Sequence, residues 1–141
     1  MKKTLLAALG AGVLLFALGV SGCSSGATGL EGKTWVLESY GDPGDPAAVI
    51  AGSEVTAEFL EGEVAGTAGC NRYFGSYTAD CENLSFGPLA STEMWCVDPE
   101  GVMDQEQAYL RTLGKAKEYE VRDGMLRVTC TDGQVLTFAE E

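Results

Sequence analysis

From residue 30 onward, apolar side chains recur at every second position far more than at the three- and four-residue spacing of a helix. Trp35 and Leu37 alternate with Val36 and Glu38, and Val55, Ala57 and Phe59 alternate with Glu54, Thr56 and Glu58. That is the pattern of strands with one face buried. Turn signals cut the pattern into short pieces. Glu61-Gly62 leads into a run over 63–67, and residues 80–83 separate a run over 76–79 from one over 84–86. Asp123-Gly124 and Asp132-Gly133 each sit between alternating runs; Asp-Gly predicts a hairpin there because both central positions of the favoured turn take positive φ. About eight strands result, mostly joined by hairpins.

One segment departs from this period. Between Asp98-Pro99 and Gly114, Val102, Met103, Glu106, Tyr109, Leu110 and Leu113 fall at three- and four-residue steps. This predicts one amphipathic helix of about four turns, with Asp98 as cap, Pro99 at the first helical position and Gly114 as the stop. The expected fold class is α+β, mainly antiparallel β: a curled sheet or partial barrel of about eight strands, covered by the helix and stapled by disulfides.

The first residues follow a different rule. Lys2 and Lys3 precede an uncharged apolar run over 5–20, which is short for a membrane span of about 20 residues and fits an export signal over 1–22. The junction Val20-Ser21-Gly22-Cys23 resembles the bacterial lipobox, in which the cysteine is lipidated and becomes the new N-terminus. Cys23 is therefore the expected lipidation site, and 23–29, small and polar after the cysteine, is the expected tether. Residues 30–141, 112 in number, make one domain. The expected location is extracytoplasmic, lipid-anchored to the cell membrane or outer membrane; Ser24 after the cysteine leans toward the outer membrane.

Charge narrows the partners. The chain has nine basic and twenty-one acidic residues, a net charge of −12, and losing Lys2 and Lys3 with the signal makes it −14. Such an excess repels phosphates, so no nucleic-acid partner is expected. With Cys23 assigned to lipid, Cys70, Cys81, Cys96 and Cys130 remain. An even number in an exported domain predicts two disulfides, with three connectivities open. No C-x-x-C pair and no histidine occur, so neither a metal site nor any cofactor is expected.

Enzyme chemistry finds little support. Without histidine there is no Ser-His or Cys-His pair, and the carboxylates are scattered over turns and solvent faces, so no catalytic residue is assigned. Asp42 and Asp45 fall short of a calcium ligand set. The glycines around Cys70 lack the Gly-Lys-Ser/Thr that completes a phosphate loop; a bulge or close backbone approach accounts for them. Asn71 reads as a turn residue whose side chain bonds nearby backbone.

Gly69-Cys70-Asn71-Arg72-Tyr73-Phe74-Gly75-Ser76-Tyr77, followed by Leu84-Ser85-Phe86-Gly87-Pro88-Leu89-Ala90-Ser91-Thr92-Glu93-Met94-Trp95-Cys96, resembles the signature of the META domain, also called HslJ-like. Leu30 to Leu37 resembles the family's opening strand, and Gln107-Ala108-Tyr109-Leu110 with 132–138 its helix and final hairpin. The resemblance implies a small β-rich domain, often a lipoprotein, with a Cys70–Cys96 disulfide, which leaves Cys81 to Cys130. It makes Gly69, Cys70, Asn71, Gly75, Tyr77, Thr92 and Cys96 a structural motif, and leaves Arg72, Tyr73 and Trp95 as candidate ligand-facing residues. Glu93 departs from a position often basic in the family. The implied function is non-enzymatic: binding or stress tolerance in the envelope, with the membrane (through the lipid) and an envelope protein as partners. The alternative is a small-molecule binding module using an apolar hollow between sheet and helix, lined by Phe59, Phe86 and Tyr109.

Overall fold

The computed structural model describes residues 29–141. The expected signal segment 1–22, the expected lipidation site Cys23 and the expected tether as far as Thr28 lie outside the described residues. Ten strands and one helix follow in the order β1 Thr34–Asp42, β2 Asp45–Ala48, β3 Thr56–Leu60, β4 Glu63–Thr67, β5 Arg72–Asp80, β6 Asn83–Phe86, β7 Ala90–Ser91, α1 Val102–Leu113, β8 Ala116–Arg122, β9 Met125–Cys130 and β10 Val135–Glu140.

All pairings are antiparallel, and β1 meets both β3 and β10. The order β1-β3-β4-β5-β6-β8-β9-β10 therefore closes on itself as an eight-stranded barrel, with β2 added to β1 and β7 to β5. Closure removes the free edges that an open sheet exposes. Two of the turns that set its register are two-residue turns the sequence marks, whereas at Asp132-Gly133 only Gly133 takes positive φ, within a four-residue loop between β9 and β10. Glu61 and Gly62 (φ 51° and 83°) and Asp123 and Gly124 (φ 52° and 74°) both occupy the left-handed region of a two-residue hairpin turn. The thinnest seam joins β6 to β8, through the single register pair Asn83 and Glu118.

Alternation carries one side chain in two to the interior. Trp35, Leu37, Ala57, Phe59, Val64, Tyr73, Tyr77, Leu84, Leu126, Val128, Leu136 and Phe138 all lie in one buried cluster. Both ends of the barrel are plugged. Leu30 is fully buried, and its carbonyl accepts the Trp35 indole N–H at 2.9 Å, so the turn ahead of β1 seals one end.

The helix seals the other, inserting Tyr109 and Leu113, both without solvent exposure. Polar bonds tie it to three loops of that end. Gln105 reaches Ile50 N (2.7 Å) and Ser53 Oγ (2.8 Å), Glu106 reaches the β4–β5 corner, and Thr112 Oγ1 donates to Gln134 Oε1 (2.9 Å). The helix starts later than its sequence suggests. Asp98 does not cap it: Asp98-Pro99 is a cis peptide in a turn, and Gly101 (φ 84°) occupies the cap position, a left-handed conformation that no right-handed helix can include. Its twelve residues make a little over about three turns instead of four.

Cys130 does not pair with Cys81. It is a free thiol, 3% exposed, at the end of β9, where Sγ donates to Thr112 O of the helix at 3.2 Å. The inward register that buries it faces the helix, whereas Cys81 sits on the β5–β6 turn between Asp80 and Asn83. Burial, with Asp132 adding to it, pushes the Cys130 thiol up to about 11 from 9.0, against a smaller opposing effect of Lys115. The folded state thus favours the protonated thiol. Its contribution to stability is complete below about pH 9 and falls away as pH rises toward 11. At pH 8 Cys130 is expected to resist alkylation in the native protein and to react on unfolding. Labelling at Cys130 without unfolding, read by mass spectrometry, would contradict this placement.

Candidate functional site

Side-chain hydrogen bonds gather at the corner between β4 and β5. Gly69 has φ +115°, and a Cβ there would come within 3.1 Å of Val102 Cγ2, so both conformation and the approach of the helix demand glycine. At Gly75 a Cβ would lie 2.8 Å from Leu89 Cδ2 and 2.9 Å from Pro88 O; glycine lets that segment pass close against β5. Between them lies Asn71, 2% exposed.

Asn71 spends its whole amide. Oδ1 accepts from Thr92 Oγ1 and from Met94 N, each at 2.7 Å, while Nδ2 donates to Met94 O at 3.0 Å and to Glu106 Oε1 at 2.7 Å. Its partners are not the nearby backbone that a turn asparagine would choose: they are the segment after β7 and the helix. Glu106 completes the joint, with Oε2 accepting from Cys70 N (3.1 Å) and Asn71 N (2.6 Å). One buried carboxylate therefore receives three N–H groups from two consecutive residues. Cys70 is bonded to Cys96, with Cα atoms 5.9 Å apart.

The joint holds an apolar loop in solvent. Met94, Trp95 and Val97 are 56%, 76% and 82% exposed, although their chain is pinned at Thr92, Met94 and Cys96. Of the three candidate ligand-facing residues, Trp95 and Arg72 are exposed. Tyr73 is not. It is 1% exposed and points inward, its hydroxyl donating to Thr56 O (2.7 Å) and accepting from Tyr109 (2.7 Å). Burial raises both phenols well above their ordinary value, so the pair is neutral. Alternation along β5 places Tyr73 on the face of Tyr77 and sends Phe74 outward. The same alternation, read from the sequence, marks Tyr73 as inward and Phe74 as outward.

Phe59, Phe86 and Tyr109 pack against other aromatic rings instead of lining a hollow between sheet and helix. Phe59 meets Tyr77 edge-on (centroids 5.0 Å) and Phe86 at 6.1 Å; Tyr109 meets Tyr73 at 5.6 Å and Phe138 at 6.3 Å. Tyr77 also donates to Glu31 Oε1. Asp42 behaves as a turn residue, its Oδ1 accepting from Gly44 N at 2.8 Å. Among the described residues no group of His, Cys, Asp or Glu is arranged to hold a metal.

A closed eight-stranded antiparallel barrel, plugged by one helix and stapled at the corner beneath an exposed aromatic loop, defines a class of small single-domain protein. The chain belongs to the META-domain family: the META domain matches residues 28–141. Members of that family are generally non-catalytic. Among curated proteins no match is found. Three solved structures share the fold. A protein from Burkholderia xenovorans, solved by NMR, is 30% identical with a TM-score of 0.66, over 79% of this chain and 83% of that one. Another NMR structure is 23% identical with a TM-score of 0.59, over 78% and 90%. A DUF4847 family protein from Bacteroides vulgatus ATCC 8482 is 13% identical with a TM-score of 0.61, over 79% and 94%. The last two bear on the fold alone.

Proposed function

We propose that this META domain is a non-enzymatic binding module of the cell envelope, exported by the segment 1–22, lipid-anchored at Cys23, and engaging an envelope protein through Trp95. The anchoring rests on the lipobox-like Val20-Ser21-Gly22-Cys23. The binding role rests on one observation: a disulfide and a buried Asn71–Glu106 joint hold Trp95 at 76% exposure. A large aromatic on a fixed loop loses little conformational entropy when a partner covers it, which suits it to be an anchor at an interface. A filled barrel interior favours this reading over a small-molecule hollow.

Cross-linking in intact envelopes tests it. A partner captured by the native chain is expected to be lost from Trp95→Ser and kept by a change at an exposed residue outside both that loop and the barrel interior, Glu120→Gln. Stability of Trp95→Ser is expected to stay within about 0.5 kcal/mol of the native value, as for a surface change. Globomycin is expected to block processing at Cys23. Unprocessed protein in the cytoplasm, or capture indifferent to Trp95, would reject the reading.

A further inference from the structure

A second surface, whose lining does not include Trp95, carries its own chemistry. The outer face of β3, β4 and β5 forms a groove of about 700 Å³. Two apolar side chains there stand in solvent, Leu60 at 62% and Phe74 at 59% exposure. Phe74 is bare because its cross-strand neighbours are small: Ala65 on β4 and Ala90 on β7 stand opposite it. An outward aromatic on a sheet ordinarily packs against larger cross-strand partners. Here the ring stands beside a trough of Ala65, Gly75 and Ser76.

The rim of the groove is acidic. Glu58 pairs in register with Ala65, Glu63 with Leu60, and Glu61 projects from the turn between the strands. All three are exposed, and none of the ion pairs among the described residues involves them. Apolar contacts therefore sit within reach of negative charge that the protein itself leaves unneutralised.

We propose that this groove binds a cationic, apolar peptide segment of a partner protein, with lysine or arginine at the glutamate rim and a leucine-sized side chain against Phe74 and Leu60. Charge complementarity selects this occupant. A second copy of the chain presents the same negative face and the same overall charge, and an anionic bilayer is repelled for the same reason.

The test uses the purified full chain titrated with a short, end-blocked peptide alternating lysine and leucine, followed by fluorescence anisotropy. Micromolar binding that weakens with salt is expected. The triple change Glu58→Gln, Glu61→Gln, Glu63→Gln is expected to weaken it by about tenfold or more, and Phe74→Ser by a similar factor. An equal charge change elsewhere (Glu118→Gln, Glu120→Gln, Asp123→Asn) is expected to leave affinity within about twofold, since distant exposed charges are screened. Circular dichroism checks that each variant is folded. Equal weakening by both triple changes, or indifference to Phe74→Ser, would reduce the binding to bulk charge and overturn the proposal. So would absence of peptide binding, a dimer broken by Phe74→Ser, or attachment to phosphatidylglycerol vesicles through Phe74. None of these results touches capture through Trp95, so the two surfaces stand or fall separately.

Discussion

Replacing Glu106 by alanine is expected to destabilise the domain by about 4 kcal/mol, the largest effect of any single change at the corner. The carboxylate is 5% exposed and accepts three N–H bonds, from Cys70 N, Asn71 N and Asn71 Nδ2. Alanine leaves those donors without an acceptor in a space that the helix keeps closed. Hydrogen bonds to a charged group contribute about 1.5–3 kcal/mol each, but bonds sharing one joint do not add in full. Glutamine discriminates between charge and shape. It preserves the volume but turns an –NH2 toward at least one donor, so Glu106→Gln is expected to cost about 2 kcal/mol. Urea unfolding should show both as lower midpoints with an unchanged slope, the mark of altered stability at constant exposed surface. A Glu106→Ala midpoint shift worth less than about 1 kcal/mol would mean that the corner is held elsewhere.

That joint marks how far the sequence can be read. Strands were legible because alternation is a local property, and the positive-φ pairs at Glu61-Gly62 and Asp123-Gly124 announce their hairpins. Closure was not legible, because Trp35 meets Glu140 and Gly41 meets Val135 across nearly the whole domain, and no local pattern encodes such a pairing. The strands β2 and β7 escaped for another reason: Asp45-Pro46-Ala47-Ala48 and Ala90-Ser91 are exposed throughout and have no buried face to announce. Cysteine parity placed Cys81 in a disulfide, which it forms, but named the wrong partner because it treats burial as irrelevant, and Cys130 is buried as a thiol against the helix. A glutamate on the apolar stripe of the helix was a signal in its own right. An acid at such a position needs partners, and the glycine-spaced corner at residues 69–71 supplies them as free backbone N–H groups.

Removing the Cys70–Cys96 bond is expected to cost about 3.5 kcal/mol, the chain-entropy value for a loop with a sequence separation of 26. The double change Cys70→Ser, Cys96→Ser measures it without reductant. Stability and binding should respond through different residues. Met94 remains tied by its amide and carbonyl to Asn71, so the loop is still fixed on one side of Trp95. Beyond Trp95, loss of the disulfide leaves Cys96 with the contact of its N–H to Met103 Sδ at 3.5 Å, a weak acceptor. Hydrogen exchange is therefore expected to keep the Met94 amide protected while residues 96–98 exchange faster, in a domain whose barrel amides are unchanged below the unfolding transition. Capture through Trp95 should weaken in step, because a partner would then have to order a loop that the disulfide orders in advance. A variant with native stability would show that the barrel does not depend on the staple. One that loses stability but keeps both loop protection and capture would show that the Asn71–Glu106 joint alone presents Trp95, and that the disulfide serves the fold and not the binding surface.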